Sequence, residues 1–413
     1  MTTEPLLAGV RVLELGALTN GAYLGMLLAD LGADVIKVES PGRGDYLRDI
    51  LGQIAPHRSP SHEQMNRNKR SVALDLRSPD GLADFWRLHA TADVVVDGYA
   101  GDTCARLGVG WEAQRERKPS IVYCQVTGLG TTPPYGMLPT HGRMMNALAG
   151  AKPHAMGADG LVRAVPDPGP MDGTTMAGQG PFLAGHFGAQ YILAALLRRD
   201  RTGRGCRIDV SGADAVVATA AQAVATELND HLIRDRSTLP NKRDDESGSA
   251  TYQYYETSDG RIVLLGALEP KFWQTFCRVA GRPDLADAVS GEADFASGRL
   301  DLRHEVQAVF HTRTLADWMA LAREHLLPIV PAHRTVPEAA ADPQLAAREL
   351  FVRGDLGRGD GEFVYVGRPA VIDDAPFTLR RPAPALGEHT DEVLGSLVVP
   401  AGGGRGTDEE RTL

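Results

Sequence analysis

Five runs in the first third of the chain, "VRVLEL", "DVIKVE", "SVALDL", "DVVVDGY" and "SIVYCQV", are rich in Val, Ile and Leu and read as buried strands. Segments of helical character, "AYLGMLLADLGA" and "GLADFWRLHATA", lie between several of them. That alternation predicts βαβ units on a parallel sheet with helices on both faces, where ligands sit beyond the strand C-termini. The loop after the first strand, "GALTNGAY", lacks a GxGxxG fingerprint, so a dinucleotide site has little support.

Residues 128 to 180 are rich in Gly, Pro and Met and poor in periodicity, a length of loop that is usually functional in a compact domain. A helix is predicted from about Pro181 to Arg199, since Pro181 suits the first helical position and Gly180 can cap. A strand and helix follow in "CRIDVSGADAVVATAAQAVATEL", then a polar, charged stretch that reads as a linker. "TYQYYETSDGRIVLLGAL" predicts a hairpin, and "EPKFWQTFCRVAG" and "TLADWMALAREH" predict helices of a small α+β domain. A strand pair is expected within "EFVYVGRPAVI". The boundaries expected from this pattern are 1–226 for the first part of a large domain, 227–332 for linker and small domain, 333–400 for a return to the large domain, and 401–413 for a disordered tail.

Composition narrows the function classes. The chain has 413 residues, 43% hydrophobic and 23% charged, which is ordinary for a globular protein and removes any need for disorder or a coiled coil. Its 43 basic and 53 acidic residues leave a formal charge of −10, which argues against nucleic acid as a partner; an anionic ligand would need locally clustered cations. Cys104, Cys124, Cys206 and Cys277 form no CxxC pair, so no zinc or disulfide framework is expected, and they read as buried thiols in a reducing compartment. The N-terminus lacks a signal-peptide pattern and no run approaches the roughly 18 apolar residues of a membrane helix, so a cytoplasmic protein without a membrane partner is expected.

Several segments together resemble one family. "GVRVLELGALTNGAYLGMLLADLGADVIKVESPGRGD", "NRNKRSVALDL", "DGYAGDTCARLGVGWE", "ILAALLRRDRTGRG" and "PALGEHTDEVL" are similar, in this order, to the family III coenzyme A transferases, which include formyl-CoA and carnitine-CoA transferases and α-methylacyl-CoA racemase. The likeness runs from about Leu7 to Leu394. It implies an α/β fold: a Rossmann-like large domain formed by both chain ends, an inserted small α+β domain, and an interlocked dimer. A homodimer is the first expectation and a heterodimer with a related chain the alternative. The substrates implied are an acyl-CoA thioester and a carboxylic acid, with no tightly bound cofactor and no metal.

By the same resemblance the CoA contacts fall on Thr19 and Asn20, on Leu74, Asp75, Leu76 and Arg77, on Gly98 and Tyr99, and on Arg106. Coenzyme A carries a 3′-phosphate and a pyrophosphate, which is why the basic "NRNKR" and "RTGRG" turns draw notice. Where many members have a basic residue after "KVE", this chain has Ser40, so one phosphate or adenine contact is expected to be lost or supplied by Lys37, Arg70 or Arg77. The family's nucleophilic aspartate would fall at Gly180 or Pro181, and neither is an acid. Asp172 is the nearest upstream carboxylate and the candidate nucleophile. His141 stands where the racemase branch has a catalytic histidine, and Glu269 where that branch has an assisting glutamate. Three readings follow: a CoA-transferase, an acyl-CoA racemase that moves an α-proton, and a non-catalytic CoA-binding subunit of a heteromeric transferase.

Overall fold

The computed structural model describes residues 4–151, 154–164, 179–236, 249–289, 299–357 and 359–397. Two compact units form, one from residues 1–224 and 348–413 and one from 225–347. The strands of the larger unit up to residue 224 are β1 (Arg11–Leu15), β2 (Asp34–Glu39), β3 (Arg70–Ala73), β4 (Val94–Asp97), β5 (Val122–Thr127), β6 (His154–Met156), β7 (Val162–Ala164) and β8 (Cys206–Ser211). Its helices there are α1 (Thr19–Asp30), α2 (Pro60–Asn66), α3 (Pro79–Ala90), α4 (Thr103–Arg106), α5 (Trp111–Arg117), α6 (Gly142–Leu148), α7 (Gln179–Thr202) and α8 (Gly212–Thr219).

Six strands make one parallel sheet in the order β3-β2-β1-β4-β5-β8. Side chains alternate between its faces. Val12, Val35, Val94 and Cys124 pack against Leu24 and Leu28 of α1 and Ala184, Ile192 and Leu196 of α7. Leu13, Ile36, Val95 and Tyr123 pack on the other face against Phe85 and Leu88 of α3 and against Val393. Full burial of Phe85 or Leu88 contributes about 1.5–3 kcal/mol each. The start of α3 is fixed locally, because the Ser78 hydroxyl accepts from the Gly81 N–H and Pro79 occupies the first turn.

Two expectations are corrected here. Within the Gly/Pro/Met-rich stretch the described residues hold α6 and the β6–β7 hairpin, where the sequence pattern predicts no regular element. The strand pair near the C-terminus joins β12 (Phe351–Asp355) to β13 (Glu362–Val366), so the partner lies before "EFVYV" and not after it. In the smaller unit, β9 (Tyr252–Glu256) and β10 (Ile262–Gly266) form a hairpin beside β11 (Ile329–Pro331), over a core of Trp273, Phe276, Phe310 and Trp318. By length and composition α7 could cross a membrane, contrary to the reading of the apolar runs, yet its Ala184–Ile192–Leu196 face is packed into the core.

Beneath the β1–α1 loop lies a buried ionic cluster. Glu14 Oε1 accepts from Lys37 Nζ and Oε2 from Lys69 Nζ, both at 2.7 Å, and all three side chains are fully buried. Asp45 Oδ2 sits 3.0 Å from Lys37 Nζ, and Glu39 is clasped by Arg48 at 2.7 Å. Three carboxylates face three cations, so the cluster is neutral. Burial alone would raise the Glu39 carboxyl, but Arg48 and Lys37 outweigh it and hold it down to about 2. Burial, helped by Arg48, pulls the neighbouring His62 down to about 3.

These shifts have one sign. Between pH 6.5 and about 3 the unfolded chain binds the His62 proton that the native fold refuses. Between pH 4.5 and about 2 it likewise binds the Glu39 proton. Stability therefore falls as pH falls through both windows. The melting temperature is expected to drop steadily from pH 7 to pH 4, with a shallower slope above pH 4.5 in a His62→Leu variant; an unchanged slope would remove His62 as the cause.

Candidate active site

The parallel strands end together at Leu15, Ala73, Asp97 and Thr127. The chain leaves β1 toward β2 on one side and later returns to β4 on the other, so the gap between β1 and β4 is the topological switch point where such sheets bind ligands. Three glycines meet there. A Cβ on Gly98 would lie 3.1 Å from the Gly21 Cα, and one on Gly16 would lie 3.0 Å from the Gly98 Cα, so a side chain at either position would press on backbone, whereas one on Gly21 would meet the Gly98 Cα at an ordinary 3.6 Å. The Gly98 N–H closes the contact on the Leu15 carbonyl at 2.7 Å.

The residues that the motif resemblance singles out follow the C-terminal ends of β1, β3 and β4. Thr19 and Asn20, both half-buried, open α1. Their predecessor Leu18 has φ 62° and ψ −150°, a conformation nearly reserved for glycine, and its N–H donates to Asp45 Oδ1 at 2.9 Å. Leu74 is buried after β3, and the Asp75 carboxylate accepts from the Arg77 N–H, shaping the turn that leaves the Arg77 side chain exposed. Tyr99 follows Gly98, its N–H bonded to Asp97 Oδ1 at 3.0 Å, and burial pushes its phenol up to about 12. Arg106 on α4 is exposed and bonded to Asp102 at 2.6 Å, a surface pair weak enough to exchange for a phosphate.

The basic motifs are placed differently from expectation. Within "NRNKR", Arg67 pairs with Asp30, Lys69 with Glu14 and Arg70 with Asp34, so these cations belong to the interior or to strand edges. Lys37 is likewise committed to Glu14 and Asp45. Of the three residues expected to compensate for Ser40, Arg77 alone has an exposed side chain free of those internal pairs. The "RTGRG" turn lies at the opposite edge of the sheet, where the Gly205 N–H bonds the Pro119 carbonyl ahead of β5.

At the head of α7, Gly180 and Pro181 are buried. Met145 of α6 fills the space in front of them. A Cβ on Gly180 would lie 2.7 Å from Met145 Cβ, and Gly128 and Gly212 offer the same side chain two further notches. His141 begins α6 with an exposed side chain that makes no cap hydrogen bond. Asp172, like the tail 401–413, lies outside the described residues. Glu269 belongs to the other unit, where it precedes the helix Pro270–Ala280 and caps it with no side-chain hydrogen bond. His186 pairs with Tyr23 across α7 and α1 at 3.0 Å. The motif reading names residues in the loops after β1, β3 and β4, and it does not name Asp45 or Met145, which no local pattern advertises.

The sequence profile described as CoA-transferase family III matches residues 7–390, almost the whole chain. The chain belongs to CoA-transferase family III. Succinate–glutarate CoA-transferase of Agrobacterium fabrum is 30% identical over 95% of this chain and 96% of its own length. Succinyl-CoA–D-citramalate CoA-transferase of Chloroflexus aurantiacus is 31% identical over 94% and 93%. The crystal structure of Rv3272 from Mycobacterium tuberculosis superposes with a TM-score of 0.72 at 28% identity, over 94% of this chain and 98% of that one. This family III member is therefore an enzyme of CoA transfer that uses a CoA thioester as substrate, and the racemase and non-catalytic readings are not favoured.

Proposed function

We propose that this transferase moves coenzyme A from an acyl-CoA to a carboxylic acid at the β1–β4 switch point. The observation that carries the reading is the close backbone approach of Gly16 and Gly98, beside Gly21, at the C-terminal ends of β1 and β4, next to motif residues in the loops that follow. Thr19, Asn20, Leu74, Asp75, Leu76, Gly98 and Tyr99 line the CoA path, and Arg77 and Arg106 meet its phosphates. The nucleophile is Asp172. Its carboxylate attacks the thioester carbonyl, expelling CoA thiolate and leaving an acyl-enzyme anhydride. The thiolate then attacks the aspartyl carbonyl, releases the donor acid and leaves an aspartyl thioester. The acceptor carboxylate repeats the two steps in reverse order. His141 borders the acyl end, and the working form is a cytoplasmic, interlocked homodimer with a Rossmann-like large domain.

A mixture of acyl-CoA and acceptor acid should yield the acceptor's CoA thioester, with no α-hydrogen exchange in deuterium oxide. Hydroxylamine should trap acylated Asp172, and Asp172→Asn should abolish transfer while leaving CoA binding intact. Exchange without transfer would instead favour proton chemistry at His141. Arg106→Ala should weaken CoA by about ten- to a hundredfold, the order expected for a charge-assisted phosphate contact, and less so at high salt. Calorimetry showing equal affinity would take Arg106 out of the site.

A further inference from the structure

Leu18 is a leucine in a conformation that leucine avoids. Its φ of 62° and ψ of −150° place it immediately before Thr19 and Asn20, in the loop that carries the proposed CoA contacts. Such a conformation persists only where its surroundings over-determine it. Here the restraint comes from one carboxylate.

Asp45 Oδ1 accepts from the Leu18 N–H and the Leu47 N–H, each at 2.9 Å. Its other oxygen lies 3.0 Å from Lys37 Nζ, and Lys37 is itself anchored to Glu14. The Asp45 N–H donates to Glu39 Oε1 at 3.0 Å, and Glu39 is gripped by Arg48. Asp45 is 2% exposed. Oδ1 and the N–H are therefore held by hydrogen bonds, while Oδ2 is held by the Lys37 charge without a well-aligned hydrogen bond.

We propose that Asp45 is a positioning residue for coenzyme A: it holds Leu18 in its strained conformation and so sets the backbone of Thr19 and Asn20 against the ligand. The proposal rests on the reading that these two residues contact CoA. Asparagine cannot do the same task. With its oxygen toward Leu18 and Leu47 it turns an amide NH2 on the Lys37 ammonium, and flipped it turns that NH2 on two backbone donors. Either way one donor faces another and the loop loosens.

The test compares CoA affinity by calorimetry, with KM and kcat for transfer, in the parent, Asp45→Asn, Leu18→Gly and the double variant. Asp45→Asn is expected to weaken CoA about tenfold and to raise KM more than it lowers kcat, the loss of a hydrogen bond to a charged group being of that order. Glycine adopts a φ of 62° without strain. Adding Leu18→Gly should therefore bring affinity back to within about threefold of the parent while leaving the melting temperature as low as in Asp45→Asn. A purely structural Asp45 would show no such rescue, and parent-like affinity in Asp45→Asn, or no recovery in the double variant, overturns the proposal. If Asp45→Asn does not fold, Leu18→Val carries the test, because a β-branched side chain tolerates this backbone least; unchanged affinity there overturns it too. A parent chain that binds no CoA overturns the proposed function and this inference with it.

Discussion

Glu14→Gln should lower the unfolding free energy of the larger unit by about 3–5 kcal/mol, the usual result of removing one partner from a buried ion pair. Glu14 is fully buried on β1 and serves two ammonium groups at once, one per carboxylate oxygen. Lys69 is also bound to the Ala22 carbonyl at 2.7 Å and the Asn66 side chain at 3.0 Å, so it cannot withdraw to water. The packing leaves no slack either, since a Cβ on Gly25 would lie 2.0 Å from Glu14 Oε2. A glutamine must aim its NH2 at Lys37 or Lys69 and leave that cation buried and opposed. Hydrogen exchange of peptides across Arg11–Glu39 reads this unit apart from residues 225–347. A loss below about 1 kcal/mol would mean that the lysines find other partners and that the cluster is not held together by Glu14.

The parts legible in the sequence are those governed by local pattern. The strands β1 to β5 announce themselves as Val- and Ile-rich runs, and α1 and α3 as helical periods between them, because a buried parallel strand needs apolar side chains on both faces. The basic motifs illustrate what pattern cannot reach. Lys69 and Glu14 are 55 residues apart in sequence, and nothing near "NRNKR" reveals that its cations point inward to acids from β1, α1 and β2. The "RTGRG" turn followed a different rule that spacing alone conceals: a helix leading into a parallel strand delivers its C-terminus to the edge opposite the ligand. Leu18 shows the remaining gap, since a strained leucine has no sequence signature. Its conformation is imposed by Asp45, which lies 27 residues downstream.

The head of α7 is the sharpest case of context overruling motif, and Gly180→Asp should make it measurable. Placing a carboxylate here, where the motif resemblance expects one, should cost about 2–4 kcal/mol, of which overpacking supplies about 1–3. The reason is Met145, whose Cβ would sit 2.7 Å and Sδ 2.8 Å from the new Cβ, while its tail is wedged between Gly128 and Gly212. Electrostatics alone would favour the change, because the N-terminus of a 24-residue helix stabilises an anion. The two causes separate cleanly. If volume is the obstacle, Gly180→Asn should be as damaging as Gly180→Asp to within about 0.5 kcal/mol, since the side chains match in size. Met145→Ala, itself costing about 2–5 kcal/mol for the cavity, should then couple favourably to Gly180→Asp by at least about 1 kcal/mol, because the cavity receives the new side chain. Urea unfolding of the four chains in this cycle supplies the number. Additive losses would show that Met145 does not exclude the carboxylate, and a much milder Gly180→Asn would move the cause from packing to buried charge.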